Sequence, residues 1–208
     1  MNKVIEDLNL PDSSLVMLSG GIGSAVLLAY AKIKNLQNIE ALFLSYHECS
    51  ICEEKSAREL ARFYGIKLKI IDVSAIYWDM MIKKPSDKFN QLNDFYIPYR
   101  NGVLVSIAAA VAYNKRLENI IWGVSMTSGM YYSDCSVRFT DYQKWSLILG
   151  TYAKSKLITP FLFKSKSEIF ELGKVLKVPF EFTWSCIESN RQPCGRCFGC
   201  IERSKLGL

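Results

Sequence analysis

Four cysteines stand close together near the end of the chain, Cys186, Cys194, Cys197 and Cys200, in the spacing C-x7-C-x2-C-x2-C. Two-residue gaps let neighbouring thiolates converge on one ion, and the longer gap brings the first ligand in from another direction. Four soft sulfurs with no position left open describe a closed, tetrahedral, structural zinc site. Gly195 and Gly199 permit the tight backbone turns such a knuckle needs. An iron–sulfur cluster also takes four thiolates, and a pair of disulfides or a set of buried thiols is the metal-free alternative. Toward the other end, Ser19-Gly20-Gly21-Ile22-Gly23-Ser24 joins an apolar run to a helical one. Small residues at a strand-to-helix turn let backbone N–H groups close on an oxyanion, and the helix N-terminus favours negative charge. Ser19 and Ser24 add hydroxyl donors. The loop has neither a Walker lysine nor a G-x-G-x-x-G spacing, and an ordinary turn would account for its glycines alone.

The elements that must hold these residues alternate. Ser14 to Leu18 reads as a buried strand, Ser24 to Lys34 as a helix, Glu40 to Tyr46 as a second strand and Glu53 to Tyr64 as a helix ended by Gly65. Leu68 to Val73 is a third strand. Ser74 to Pro98 has no clean period and reads as an excursion over the sheet. Asn101 to Tyr113 is a buried helix, Asn119 to Val124 a fourth strand and Ser125 to Cys135 a loop. Asp141 to Ala153 is helical, Leu157 to Phe163 a short strand interrupted by Pro160, and Ser167 to Leu176 helical. Such alternation specifies an α/β fold with a mostly parallel, doubly wound sheet covered on both faces.

The 208 residues suffice for one domain with a substantial core, and 50% hydrophobic with 22% charged residues is ordinary globular composition. A net charge of +6 suits a polyanionic small molecule as well as nucleic acid; without an arginine-rich run interleaved with aromatics, nucleic acid is not required. The N-terminus has no apolar leader. The apolar run from Val103 to Ala112 is far short of the roughly 20 residues that span a bilayer. Of seven cysteines, Cys49, Cys52 and Cys135 lie outside the cluster, which suits a reducing cytoplasm. Cys49 and Cys52 form a lone C-x-x-C, a redox pair only in the right structural context. The one histidine, His47, leaves no material for a nucleophile–base constellation.

Leu18-Ser19-Gly20-Gly21-Ile22-Gly23-Ser24 resembles the S-G-G-x-D-S pyrophosphate loop of the N-type ATP pyrophosphatases (the PP-loop superfamily). Within it, further blocks resemble the 7-cyano-7-deazaguanine synthase (QueC) family. They are Ile97-Pro98-Tyr99-Arg100-Asn101, Trp122-Gly123-Val124, Tyr132-Ser133-Asp134-Cys135 with Phe139, and Ser165-Lys166-Ser167-Glu168-Ile169 with Leu172-Gly173. The last comprises Thr183-Trp184-Ser185-Cys186 and Pro193-Cys194-Gly195-Arg196-Cys197 with Cys200. The blocks follow the family's order along nearly the whole chain.

The resemblance implies an adenine nucleotide alpha hydrolase-like fold, with a PP-loop ATP-binding domain over 1–180 and a zinc-binding appendage over 181–208. It implies ATP with Mg2+, a structural Zn2+ on Cys186, Cys194, Cys197 and Cys200, and conversion of 7-carboxy-7-deazaguanine and ammonia to the nitrile in the cytoplasm, by a homodimer. Leu18, Ser19, Gly20, Gly21, Ile22, Gly23, Ser24 and Ala25 would bind the nucleotide. Arg100, Asp134 and Lys166 would be catalytic; Tyr99, Asn101, Trp184 and Arg196 would contact the base. The side chains admit structural roles too: an ion pair for Arg100, a helix cap for Asn101, a surface turn for Asp134, a solvated helix start for Lys166. Where the family's loop has aspartate this chain has Gly23, and Ser50 stands where the family places a histidine, with His47 nearby. Three activities fit: nitrile synthesis, a related reaction that stops at the amide or uses a macromolecular acceptor, and nucleotide or base binding without turnover.

Overall fold

The computed structural model describes residues 8–46, 51–76, 97–188 and 191–208. Among the described residues five strands run in chain order, β1 (Ser14–Met17), β2 (Ile39–Ser45), β3 (Lys67–Asp72), β4 (Asn119–Ile121) and β5 (Lys156–Ile158). They form one parallel sheet in the order β3-β2-β1-β4-β5. Helices α1 (Ile22–Ile33), α2 (Ile51–Tyr64), α3 (Arg100–Asn114), α4 (Met126–Tyr131), α5 (Val137–Gly150), α6 (Lys166–Val175) and α7 (Phe198–Ser204) follow in sequence, with 3-10 turns at Ser133–Cys135 and Phe180–Phe182.

Side-chain alternation along the strands fills two cores. Val16, Ala41, Phe43 and Ile121 point to the face covered by α1, α2 and α6. Their neighbours Leu15, Leu42, Leu44 and Ile120 point to the face covered by α3, with Leu147 of α5. A strand buried on both sides reads as a continuous apolar run, as these do. The strand order reverses at β1, whose neighbours are β2 and β4. That switch point opens a crevice beyond the carboxyl ends of the strands, where open α/β sheets bind ligands.

The elements match the sequence expectations to within a few residues, with three exceptions. The stretch Ser125 to Cys135, expected as a loop, folds into α4 and a 3-10 turn, because the Ser125 hydroxyl caps Ser128 N–H and starts a helix. The fifth strand ends at Ile158 rather than Phe163, since Pro160 has no N–H for the ladder. The knuckle carries a helix, α7, that was not expected. Residues 77–96, most of the expected excursion, lie outside the described residues, as do His47, Cys49 and Ser50.

Candidate functional site

The glycine loop leaves β1 at the switch point. Gly20 has φ +78°, and a Cβ there would stand 2.5 Å from the Glu53 carbonyl oxygen and 3.0 Å from Ser56 Cβ. Only glycine lets α2 rest on the loop so closely. Gly21 caps α1 without a side chain, so the first-turn N–H groups of Ile22, Gly23 and Ser24 have no side-chain acceptor and aim at the crevice. The Ser24 hydroxyl donates to Gly21 O (3.0 Å) and lies 3.3 Å from Ser19 Oγ. Two hydroxyls and an uncapped helix start thus share one corner. Leu18, Ile22 and Ala25 turn their side chains into the core. A Cβ on Gly23 would meet the Gly123 carbonyl at 3.2 Å, a close approach of α1 to the exit of β4.

A cleft of about 340 Å³ opens here, lined by Ser19, Gly23, Ser24, Arg100, Asn101 and Lys166 together with Tyr46, Glu53, Trp122, Tyr132 and Phe198. A smaller hollow of about 200 Å³ shares Ser19, Gly23, Glu53 and Lys166 with it and adds Gly21, Ile22 and Trp184. Leu18, Ser19, Gly21, Ile22, Gly23 and Ser24 of the expected loop are therefore brought together with Arg100, Asn101, Lys166 and Trp184. Gly20 and Ala25 of the expected loop set, and Tyr99, Asp134 and Arg196, are not among the lining residues.

Each of those has another setting. Tyr99 is left-handed at the start of α3 (φ +58°); its ring lies over Gly102, where a Cβ would come within 2.5 Å of it. Its hydroxyl accepts from Gln143 Nε2 at 3.1 Å, and the ring meets Phe139 edge to face. Asp134, 4% exposed, accepts from the Asn101 backbone N–H at 2.9 Å. It thus caps α3 from a distance, because Tyr99 supplies no side-chain cap. This is neither a surface turn nor a contact in the cleft. Arg196 is solvent-facing and pairs with Glu188 at 3.0 Å.

The cationic side chains differ in electrostatics. Burial works against the Arg100 charge, but the surrounding Tyr46, Asp134, Cys135 and Glu53 outweigh it and push the guanidinium pKa up. Arg100 Nη1 donates to Tyr46 Oη at 3.4 Å. The Cys135 thiol is raised to about 12, first by burial and then by Asp134, against the opposing Arg100; it stays protonated and inert. Lys166 opens α6 beside a Ser165–Glu168 capping box. Its backbone N–H donates to Thr127 Oγ1 at 3.0 Å, and Nζ lies 5.7 Å from the Phe198 ring centre.

The four cysteine sulfurs lie within 4.8 Å of one another, a geometry that one metal ion can occupy. Backbone N–H groups of Cys194, Cys197 and Cys200 point at Sγ of Cys186, Cys194 and Cys197 over 3.3–3.4 Å. The cluster is tied to the loop: Trp184 N–H donates to Gly20 O (3.0 Å), and its indole N–H to Cys186 O (2.7 Å). Gly199 is obligatory, since a Cβ there would lie within 1.8 Å of the Ser185 carbonyl oxygen. Phe198, next to it, reaches the cleft and packs on Tyr131 and Tyr132. Sequence reasoning missed Glu53, Tyr46, Trp122, Tyr132 and Phe198 as lining residues. The signal for Glu53 was its place just after β2, whose carboxyl end borders the crevice.

Among families, the model described as "Queuosine biosynthesis protein QueC" matches residues 13–206. The 7-cyano-7-deazaguanine synthase of Thermoplasma volcanium is 31% identical over 94% of this chain and 86% of its own length. That of Campylobacter concisus is 33% identical over 91% of each. Among solved structures, the U34-tRNA thiolase NcsA from Methanococcus maripaludis with its [4Fe-4S] cluster aligns with TM-score 0.56 at 18% identity, covering 99% of this chain and 70% of that one. The NH3-dependent NAD synthetase of Campylobacter jejuni aligns with TM-score 0.51 at 20% identity, covering 87% and 72%. These two similarities concern the fold alone. The chain belongs to the QueC family, within the PP-loop superfamily.

Proposed function

We propose that this QueC family member converts 7-carboxy-7-deazaguanine and ammonia into 7-cyano-7-deazaguanine, driven by ATP. The matched relatives bear that synthase's name. One observation carries the reading: the uncapped start of α1, the Ser19 and Ser24 hydroxyls, Lys166 and Arg100 all converge on one cleft with aromatic walls. Such a site suits a polyphosphate beside a flat base.

In this scheme a substrate carboxylate oxygen attacks the nucleotide α-phosphorus and pyrophosphate leaves. Ammonia then displaces AMP to give the amide. The amide oxygen attacks the α-phosphorus of a second ATP with departure of pyrophosphate, and elimination of AMP with loss of the two protons on nitrogen leaves the nitrile. The protein contributes positioning and charge stabilisation. Backbone N–H groups of the loop and the two hydroxyls hold the pyrophosphate, and Lys166 neutralises it as it departs. Arg100, raised in pKa and directed at the cleft, offers its fork to the carboxylate or the α-phosphate. Asn101 is held at the cleft wall by Asp134, which acts through α3 as a positioning residue, as does Tyr99. Magnesium, when bound, shields phosphate charge, and the cleft's hydroxyl and carboxylate oxygens are the hard donors it prefers.

The cysteine cluster is read as structural zinc. A tetrahedron with Zn–S of about 2.3 Å has edges of about 3.8 Å, close to the 3.9 Å between Cys194 and Cys200 sulfurs and the 4.0 Å between Cys186 and Cys197. An iron–sulfur cluster interposes iron and sulfide among its thiolates and needs them farther apart. The segment 181–208 acts as an appendage of the 1–180 domain, a reading supported by the bond from Trp184 to Gly20. The enzyme works as a cytoplasmic homodimer, where ATP and reduced thiols coexist.

The test is incubation with ATP, magnesium, ammonia and the carboxy base, followed by mass analysis of base and nucleotide products. Nitrile with AMP is the expected result. Amide alone would replace the reading with an amide-forming enzyme. Ligand binding without AMP release would favour a non-catalytic homologue, the reading that Gly23 motivates because it removes the loop carboxylate.

A further inference from the structure

We infer that Phe198 is a positioning residue for the phosphate site: the face of its ring holds the Lys166 ammonium in place for a pyrophosphate group. The inference rests on the nucleotide-site reading above and goes one residue deeper. Lys166 lines both the cleft and its smaller hollow, in company with Ser19 and Gly23. Its Nζ lies 5.7 Å from the centre of the Phe198 ring, within the reach at which the negative face of an aromatic ring attracts a cation. Among the described residues no carboxylate forms an ion pair with this ammonium. Glu202, the acid whose charge acts on it, holds Lys205 at 2.7 Å. A half-buried cation needs compensation, and the ring supplies part of it without taking up a hydrogen-bond donor. The three ammonium donors stay available to an anion.

Both partners are held from their backbones. Lys166 N–H donates to Thr127 Oγ1 at 3.0 Å, which ties the start of α6 to α4. Phe198 opens α7 between Cys197, whose sulfur accepts from Cys200 N–H, and Gly199, which packs too closely on the Ser185 carbonyl to carry a side chain. Tyr131, at the end of α4, backs the ring with centroids 4.4 Å apart, and Tyr132 meets it edge to face at 6.2 Å. Helices α4, α6 and α7 thus meet at the ring and the ammonium. A lysine side chain is rich in rotamers, and ordering it costs affinity when a ligand must do it. A face that orders it beforehand strengthens binding. The rival role for Phe198 is a wall for the flat base, and a probe without a base separates the two.

The test is calorimetric titration of inorganic pyrophosphate into the full-length protein, with thermal melts of every variant. Phe198→Leu, which keeps an apolar side chain and loses the π face, is expected to weaken binding about three- to tenfold. Phe198→Tyr, which keeps the face, should bind as wild type does. Replacing Phe198 with 3,4,5-trifluorophenylalanine drains the face at nearly constant shape, and should reproduce most of the loss even if the leucine variant folds poorly. In a Lys166→Met background, Phe198→Leu should have no further effect, the mark of coupling between the two side chains. Wild-type affinity in the trifluoro protein overturns the inference, as does a gain in affinity. So does a leucine effect of equal size with and without Lys166, which would indicate a packing role. Undiminished binding by Lys166→Met, or no pyrophosphate binding by wild type, would take down the phosphate-site reading as well. Binding that depends on Lys166 but not on the ring removes this inference alone.

Discussion

Burial lowers the pKa of the Lys166 ammonium; Glu202 partly restores it, Arg203 adds to the depression and Cys197 opposes it again. The charged form that a pyrophosphate would meet is therefore lost at a pH below the ordinary lysine value of about 10.4. The sign follows directly: protonated Lys166 binds the anion, so affinity falls as pH rises through the lowered pKa. Pyrophosphate titrations across the alkaline range should show this fall in wild type and a flatter profile in Lys166→Arg, whose guanidinium keeps its proton. Lys166→Met should cost about 10- to 100-fold in affinity, the worth of one charge-assisted hydrogen bond. Identical alkaline profiles for wild type and Lys166→Arg would remove Lys166 from the phosphate site. Neighbouring residues divide by function in the same way. Arg100 reaches the cleft while Asp134 holds the helix that carries it, although both belong to the same set of motif residues.

At the scale of elements, α5 presents an exposed apolar stripe. Tyr142, Trp145 and Leu149, with Tyr152 just beyond the helix, follow 3-4-3 spacing and are 64%, 64%, 77% and 85% exposed. An apolar stripe of this kind marks an association surface, and the proposed homodimer gives it a second copy to pack on. Trp145→Asp with Leu149→Asp should convert a dimer to a monomer in analytical ultracentrifugation without lowering the melting temperature of the monomer. A wild-type protein that sediments as a monomer at every concentration would refute the assignment. Most elements were legible because strand runs buried on both faces and helices with 3.6-residue patterns leave plain signatures. Short ones were not. In α4, Gly129 packs with its missing Cβ 2.9 Å from the Cys135 carbonyl, and its Ser, Gly and Tyr content resembles a loop. In α7, the close packing of Gly199 on Ser185 and the place of Cys200 in the sulfur cluster override helical periodicity. The site was legible where motif residues touch the cleft. It was not legible for Glu53 and Phe198, whose places depend on which elements the topology sets side by side.

At the scale of the molecule, the cluster braces the last helix against the loop that begins the fold. Thr183 and the Phe180 carbonyl receive the Arg203 guanidinium at 2.8 and 3.0 Å, so the segment is anchored at both ends. Metal analysis should find about one zinc per chain. Stripping it with a strong chelator, or replacing Cys194 by Ala, should lower the melting temperature and release Phe198 and Trp184 from the cleft, read as a change in tryptophan fluorescence together with loss of ATP affinity. A metal-free protein that stays fully folded and keeps its ligand affinity under reducing conditions would contradict the structural role. The bond from Trp184 N–H to Gly20 O has a consequence for biosynthesis. It closes a loop through nearly the whole chain, so a nascent polypeptide still missing its last stretch carries the phosphate loop without its partner. A contact between residues so far apart in the chain must repay the entropy of closing the intervening loop, so the glycine loop gains this partner only when the chain between them has been drawn together.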